Sequence, residues 1–77
     1  MDEKKGKIEN EFYSDGCKIE KIINNNGDVI TENYYAPSGI LETTFKYVYD
    51  SEGICIEESE FNSKGELRSQ ISYKKMG

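Results

Sequence analysis

Seven glycines are spaced almost evenly along the chain, and this spacing limits its fold more than any other feature. They occupy positions 6, 16, 27, 39, 53, 65 and 77. Turn-forming residues precede five of them, in the segments 14–16, 24–27, 36–39, 50–53 and 62–65. Glycine adopts positive φ without steric cost, and Asn, Asp and Ser bond to their own local backbone. These five segments therefore predict hairpin loops.

Between the glycines, apolar residues alternate with polar ones, which is the pattern of strands and not of helices. In the last unit, Leu67, Ile71 and Tyr73 point to one side of an extended chain, and Arg68 and Gln70 point to the other. Strands of about eight residues joined by tight glycine loops predict an all-β fold, a single antiparallel meander of six strands. The same alternation predicts a core on the inner side of the sheet: Ile8, Phe12, Ile19, Ile23, Val29, Tyr35, Leu41, Phe45, Tyr47, Cys55, Phe61, Leu67, Ile71 and Tyr73.

The predicted sheet has no helix to cover its apolar side. It must therefore curl onto itself as a half-barrel or sandwich, or pack face to face with a second copy or a partner protein. Six further apolar residues fall on the other side and form a candidate interaction face if they cluster: Ile22, Ile30, Tyr34, Val48, Ile54 and Ile56. Scattered apolar residues are also normal on any protein surface. We expect the functional protein to be a homodimer or to be bound to a protein partner.

Length and composition describe a single small domain, residues 1–77, with residues 1–5 expected to be disordered. Only 35% of the residues are hydrophobic and 32% are charged, so the core is marginal unless a partner covers it. The net charge of −5 disfavours nucleic-acid binding, which requires clustered Lys and Arg. No apolar run is long enough to span a membrane, and no signal segment is recognisable. We therefore expect a cytoplasmic protein without a membrane partner, or an exported one if the chain is a fragment of a longer protein.

Side chains that support catalysis or metal binding are scarce. The chain has no His, and its two cysteines, Cys17 and Cys55, supply too few ligands for zinc. We expect them to be reduced thiols in a reducing compartment; a disulfide is the alternative, and the spacing of the two cysteines does not decide between them. Glu58 and Glu60 share one side of a strand, as glycosidase carboxylates can, but acidic residues on an exposed strand also keep a sheet soluble. We predict no catalytic residue, no metal site and no cofactor.

The segment 47–67, YVYDSEGICIEESEFNSKGEL, resembles a pair of units from the tyrosine-aspartate repeats of the RHS type. It is also similar to the MORN-like hairpin repeats of bacterial antitoxin-like proteins. The likeness is carried by Tyr49, Asp50, Gly53, Glu57, Phe61 and Gly65, with partial echoes at Tyr13, Gly16, Tyr35 and Gly39. The resemblance implies a bacterial β-repeat scaffold for encapsulation, surface display or partner binding, without catalytic residues. About six strands are fewer than the long arrays of exported RHS proteins contain.

Three functions are compatible with these features. The first, our leading hypothesis, is a non-catalytic β-repeat module that self-associates or binds a protein partner through an aromatic-bearing sheet face. The second is a small acidic inhibitor of the antitoxin, immunity or phage anti-defence type, whose carboxylates block a basic site. The third is a carbohydrate-binding sheet that stacks sugars on Tyr34, Tyr35, Tyr47 and Tyr49. The third function competes with the core for the same aromatic rings.

Overall fold

The computed structural model describes residues 6–73, which form one six-stranded antiparallel sheet with its strands side by side in chain order. The strands are β1 (Lys7–Phe12), β2 (Lys18–Ile23), β3 (Val29–Tyr35), β4 (Leu41–Tyr49), β5 (Cys55–Phe61) and β6 (Leu67–Ser72). The described residues contain no helix, and β1 and β6 are the two edges, so the sheet is open and not closed into a barrel. The predicted all-β meander is confirmed. The expectation of a disordered segment 1–5 lies outside the described residues.

Five hairpin loops with the same hydrogen-bond pattern connect the strands at the predicted positions. In each loop the glycine amide donates to the carbonyl three residues earlier, at 2.8–3.1 Å. The glycines at 16, 27, 39, 53 and 65 have φ between 83° and 94°, the left-handed region that favours glycine. A tight turn that ends in a left-handed glycine matches the twist of the two strands it joins. The predicted loops are confirmed.

Side chains at the first loop position reinforce three of these turns. The Oδ1 atoms of Asn24, Asp50 and Asn62 each accept two backbone amides of their own loop, at 2.9–3.0 Å. In the first loop, Asp15 Oδ1 accepts the amide of Cys17 at 3.0 Å. A short polar side chain thus satisfies amides that have no strand partner, which explains why Asn and Asp precede the glycines in the sequence.

Shifts in strand register recur at the same place in four successive strand pairs. The β2–β3 pairing shifts after Ile22 and the β3–β4 pairing after Tyr34. The β4–β5 pairing shifts after Val48 and the β5–β6 pairing after Glu60. Each of these residues is the next-to-last residue of the earlier strand, and each shift places one extra residue in the later strand, as a β-bulge does. The four hairpins therefore share one geometry.

The sheet is a single layer in which very little is buried. Among residues 6–73 only Ile19, Ile23 and Ser59 are buried, each with 7% of its surface exposed. The radius of gyration is 14.2 Å, whereas a compact chain of this length has about 11 Å. Of the two expected ways to cover the apolar side, closure of the sheet upon itself does not occur. No second layer lies over either face within the described part of the chain.

Five members of the predicted core are exposed. They are Ile8 (59% exposed), Phe12 (75%), Leu67 (53%), Ile71 (51%) and Tyr73 (46%). All five lie on or directly beside the edge strands β1 and β6, where a side chain has a neighbouring strand on one flank only. Period-two alternation identifies the side of a strand but not its place in the sheet, so burial was predicted wrongly at both edges.

The two faces of the sheet also differ from the prediction. Phe12 pairs with Lys18, and Lys18 pairs with Tyr35, so both aromatic rings lie on the face opposite to Ile19. The predicted inner residues that lie on this other face are Ile8, Phe12, Tyr35 and Phe61. A register change of one residue moves every side chain of a strand to the other face. The remaining predicted core residues are half-buried, apart from the buried isoleucines: Val29, Leu41, Phe45, Tyr47 and Cys55.

Gly53→Ala should lower the free energy of unfolding by about 1–2 kcal/mol, because an added Cβ disfavours the left-handed φ of 83°. No described atom lies within 4 Å of the place that this Cβ would occupy, so the cost comes from backbone conformation alone. Ser51→Ala, in the same loop but without positive φ, is the matched control and should change stability by less than about 0.5 kcal/mol. Urea denaturation measures both. Equal midpoints would contradict the loop geometry.

Candidate functional site

The strand register divides the side chains between two faces, since directly paired residues point to the same side. One face, here called the tyrosine face, carries Ile19, Ile23, Glu32, Tyr34, Phe45, Tyr47, Tyr49, Glu58, Ile71 and Tyr73. It holds both buried isoleucines and four of the six tyrosines. The opposite face, here called the polar face, carries Lys18, Glu20, Asn33, Tyr35, Thr44, Lys46, Ser59, Phe61 and Gln70.

Phenol hydroxyls on the tyrosine face bind carboxylates of the same face. The Tyr47 hydroxyl donates to Glu32 Oε1 at 2.9 Å, and the Tyr34 hydroxyl donates to the same oxygen at 3.3 Å. The Tyr73 hydroxyl donates to Glu58 Oε2 at 3.1 Å, which repeats the Tyr47–Glu32 contact two strands further along the sheet. Hydrogen bonds to a charged acceptor are stronger than neutral ones, so these rings are held in fixed orientations on the sheet.

A small aromatic cluster occupies the centre of the tyrosine face. The rings of Tyr34 and Phe45 contact edge to face, with centroids 5.4 Å apart and planes at 79°. Tyr34 pairs directly with the buried Ile19, so the cluster covers β2. The Tyr49 hydroxyl donates to the Val29 carbonyl at 2.6 Å, which ties the end of β4 to the start of β3. An aromatic pair of this kind contributes about 0.5–1.5 kcal/mol beyond its buried area.

Burial and neighbouring carboxylates keep the phenols of this face neutral. Burial raises the pKa of Tyr47 far above its usual range, and the hydrogen bond to Glu32 raises that pKa further. Burial is also the main cause of the raised pKa of Tyr34. At Tyr73 the main cause of the raised pKa is the hydrogen bond to Glu58. These three phenols therefore remain hydrogen-bond donors throughout the physiological pH range.

Hydrogen bonds between side chains cross the polar face from strand to strand. Asn33 Nδ2 donates to Glu20 Oε1 at 2.9 Å, and Thr44 Oγ1 donates to Asn33 Oδ1 at 2.7 Å, so the bonds join β2, β3 and β4. Gln70 Nε2 donates to Oγ of the buried Ser59 at 3.1 Å and joins β5 to β6. The polar groups of this face are thus largely committed to holding the sheet together.

Two of the three aromatic rings of the polar face, Tyr35 and Phe61, lie beneath lysines. Lys18 Nζ is 4.7 Å from the centroid of the Tyr35 ring, and Lys46 Nζ is 5.4 Å from the centroid of the Phe61 ring. Cation–π attraction favours this placement. The third ring of this face, Phe12, is 75% exposed and lies on the edge strand β1. The tyrosine face differs in that its aromatic residues are grouped on the adjacent strands β3 and β4: Tyr34, Phe45, Tyr47 and Tyr49.

The six residues of the predicted interaction face do not form one surface. Val48 (46%) and Ile54 (51%) are exposed, whereas the other four are half-buried: Ile22, Ile30, Tyr34 and Ile56. Tyr34 lies on the tyrosine face, Val48 lies on the polar face and Ile54 lies in a loop. Each strand alternates as predicted, but the register between strands decides which alternating residues share a face. The tyrosine face therefore replaces this set as the candidate site.

An apolar groove lies at one end of the sheet, beside the loop that joins β2 to β3. Its volume is 460 Å³, and its lining includes Ile8, Ile22, Ile23 and Ile30. Two of these residues, Ile22 and Ile30, belong to the predicted interaction face. The groove extends the exposed apolar surface of the edge strand β1.

Three of the four tyrosines proposed to stack sugars share the tyrosine face, namely Tyr34, Tyr47 and Tyr49, and the fourth, Tyr35, lies on the polar face. Glu32, which accepts the hydroxyls of Tyr34 and Tyr47, was not singled out from the sequence. The sequence does contain a signal for Glu32, because the number of residues between Glu32 and Tyr47 is the same as that between Glu58 and Tyr73. Recognising each Glu and Tyr as hydrogen-bond partners requires the register between strands, which the sequence alone does not give.

The remaining reactive groups are separated from one another. Cys17 and Cys55 are free thiols, one in the first loop and one at the start of β5, and burial raises the pKa of the Cys17 thiol. Glu58, one member of the carboxylate pair considered for glycosidase chemistry, instead accepts the hydroxyl of Tyr73. Residues 6–73 contain no group of three or more His, Cys, Asp or Glu placed to hold a metal ion. Over the same range there is no helix that could cross a membrane.

Comparisons of the chain with protein-family models, with curated proteins and with solved structures gave no match. The likeness to RHS-type and MORN-like repeats therefore stays a hypothesis carried by its own residues.

Tyr47→Phe should reduce the loss of stability at alkaline pH. The pKa of Tyr47 is higher in the folded state than the unfolded value of about 10, so its contribution is complete below about pH 10 and is lost as pH rises towards the folded pKa. Above about pH 10, the free energy of unfolding of the wild type should fall more steeply than that of the variant, by up to about 1.4 kcal/mol per pH unit. Urea melts at several pH values measure the slopes, with Tyr35→Phe on the polar face as control. Parallel wild-type and Tyr47→Phe slopes would refute this account.

Proposed function

We propose that the protein is a non-catalytic protein-interaction module and that a partner protein covers its tyrosine face. The observation that carries this proposal is the exposure of a single-layer sheet, in which Ile19 and Ile23 are the only buried apolar side chains among residues 6–73. Covering about 400 Å² of further apolar surface would contribute on the order of 10 kcal/mol before the cost of association is subtracted. A free monomer lacks that contribution.

The tyrosine face has a suitable size and composition for this role. The molecule measures 45 × 35 Å across its two longer axes, and a stable interface needs about 800 Å² from each partner. Tyr and Phe are enriched at the centres of protein interfaces. Because hydrogen bonds already fix the rings of Tyr34, Tyr47 and Tyr73, these side chains lose little conformational entropy on binding.

The charge of this face favours a basic partner. By register it carries five carboxylates and two ammonium groups: Glu9, Glu11, Glu32, Glu58, Glu60, Lys7 and Lys21. Lys21 Nζ lies 2.9 Å from Glu11 Oε2, and Lys7 Nζ lies 3.6 Å from Glu9 Oε2, so both lysines are paired with β1 carboxylates. The five carboxylates outnumber the two ammonium groups, so the face as a whole complements a positive surface.

This excess of carboxylates supports the acidic inhibitor as the specific form of the module, in which the tyrosine face blocks a basic site on another protein. Two copies that met through the same face would bring like charges together, so a homodimer is less favoured at this surface. The carbohydrate-binding alternative is less favoured as well. The Tyr34 ring meets Phe45 edge to face, whereas sugar stacking requires a flat accessible ring.

Glu60→Lys and Glu57→Lys form a matched pair that tests the assignment of the face. Both residues are half-buried glutamates of β5, but Glu60 lies on the tyrosine face and Glu57 on the polar face. A protein captured from the source cell by the immobilised wild type should bind Glu60→Lys at least about tenfold more weakly, since a basic partner would meet a positive charge. It should bind Glu57→Lys with unchanged affinity.

Calorimetric titration of the captured protein against each variant gives these affinities, and urea melts establish that both variants fold. Equal binding by the two variants would refute the assignment of the tyrosine face. A wild-type dimer in sedimentation that Glu60→Lys alters and Glu57→Lys does not would assign the face to a second copy instead.

A further inference from the structure

The edge strands β1 and β6 each present backbone groups that no strand among the described residues binds. The amide of Tyr13, just after β1, donates into the sheet, so by alternation the amide of Asn10 points outwards. The amide of Tyr73, just after β6, also donates into the sheet, so the amide of Ser72 points outwards. Both edges are therefore able to pair with a further strand.

β1 carries the same residue as the internal strand β5 at three corresponding positions. Both strands lead into a hairpin loop. Counted back from that loop, three of the first four positions are identical: Phe12 and Phe61, Glu11 and Glu60, Glu9 and Glu58. The remaining position holds a small polar residue in each strand, Asn10 or Ser59. β1 is thus similar to β5, but among the described strands it has a neighbour on one flank only, whereas β5 has one on each flank.

β6 corresponds in the same way to β4. Counted forward from the loop glycine, two positions are identical and a third is apolar in both strands: Leu41 and Leu67, Tyr47 and Tyr73, Phe45 and Ile71. Within the sheet β4 pairs directly with β5, so that Phe45 lies opposite Glu60 and Tyr47 lies opposite Glu58. At these positions the two free edges therefore resemble two strands that already pair with each other.

We propose that β6 of one molecule pairs in antiparallel orientation with β1 of a second copy, in the register that β4 and β5 use. Ile71 then lies opposite Glu11 of the second copy, and Tyr73 lies opposite Glu9. The outward-pointing amides of Ser72 and Asn10 fall within this pairing, as the alternation of strand hydrogen bonds requires. The inference goes beyond the proposed function, because it uses the edges of the sheet and leaves the tyrosine face open to another protein.

The charges on β1 do not oppose this pairing. Charged residues on an edge strand usually discourage association of edges. β1 carries three charged residues, yet β5 carries three glutamates and pairs with a strand on each flank. Glutamates at these positions are therefore compatible with a paired strand in this sheet.

The proposed contact is head to tail, since it joins two different edges. Each addition leaves one β1 edge and one β6 edge free, so the assembly does not close at a dimer. The average mass of the wild type should therefore increase steadily with protein concentration. A two-fold dimer through a face would instead stop at two copies.

Two proline variants test the inference. Asn10→Pro removes an outward amide from β1, and Ser72→Pro removes one from β6, while the hydrogen bonds inside the sheet are kept. Each variant alone should be monomeric in sedimentation velocity, because one of the two required edges is blocked. An equimolar mixture should form a heterodimer and nothing larger, because one intact β6 and one intact β1 remain.

Asn10→Ala and Ser72→Ala keep the amides and should assemble like the wild type. Far-UV circular dichroism and urea melts establish that the proline variants fold. Assembly of either folded proline variant alone to the wild-type extent would overturn the proposal, and so would a mixture that stays monomeric.

A cross-linking measurement tests the register without proline. Ile71→Cys and Glu11→Cys variants, both with Cys17→Ser and Cys55→Ser, should form a mixed disulfide when combined under mild oxidation, because directly opposed strand residues have suitable geometry. Ile71→Cys combined with Glu9→Cys should give a several-fold lower yield. Equal yields, or no mixed disulfide in either combination, would contradict the proposed register.

Discussion

A sheet with neither face covered must obtain its stability from contacts within the layer, and the other properties of this molecule follow from that constraint. A cross-strand pair contributes only about 0.2–1 kcal/mol, so many pairs are needed. The described sheet supplies them on both sides, with phenols bound to carboxylates on one face and with amides, hydroxyls and lysines bridging strands on the other. Contacts between polar side chains thereby supply much of the stability that an apolar core supplies in domains of two or more layers.

Under the proposed function, the same contacts would prepare the tyrosine face for binding. Glu32 and Glu58 hold the hydroxyls of Tyr47 and Tyr73 at equivalent places, so the rings are ordered before any partner arrives. Ordering these rings stabilises the monomer and lowers the entropic cost of association. An arrangement that is structural in the isolated chain is therefore also the arrangement that a partner protein would use.

The parts of the fold that were predicted correctly are those that depend on local chemistry. Positive φ at glycine and side-chain caps by Asn and Asp act within a single loop, so the loops and the order of strands follow from the sequence. Which residues share a face depends on the register between strands, and four register shifts change the relation between neighbouring strands. Phe12 and Tyr35 lie on the face opposite to the predicted one because both pair with Lys18, and the role of Glu32 follows only from the pairing of β3 with β4.

The exposure of Ile71 and Tyr73 follows from their position at the edge of the sheet. Their counterparts Phe45 and Tyr47 have carboxylate-bearing strands on both flanks, β3 on one side and β5 on the other. Among the described strands, Ile71 and Tyr73 have only β5 beside them, and they are 51% and 46% exposed. A strand with the residues of β1 on their open flank would give them the surroundings that the internal pair already has. Lengthening the sheet in this way would extend the tyrosine face without changing its composition, so one set of side-chain contacts would serve both the single molecule and an array of molecules.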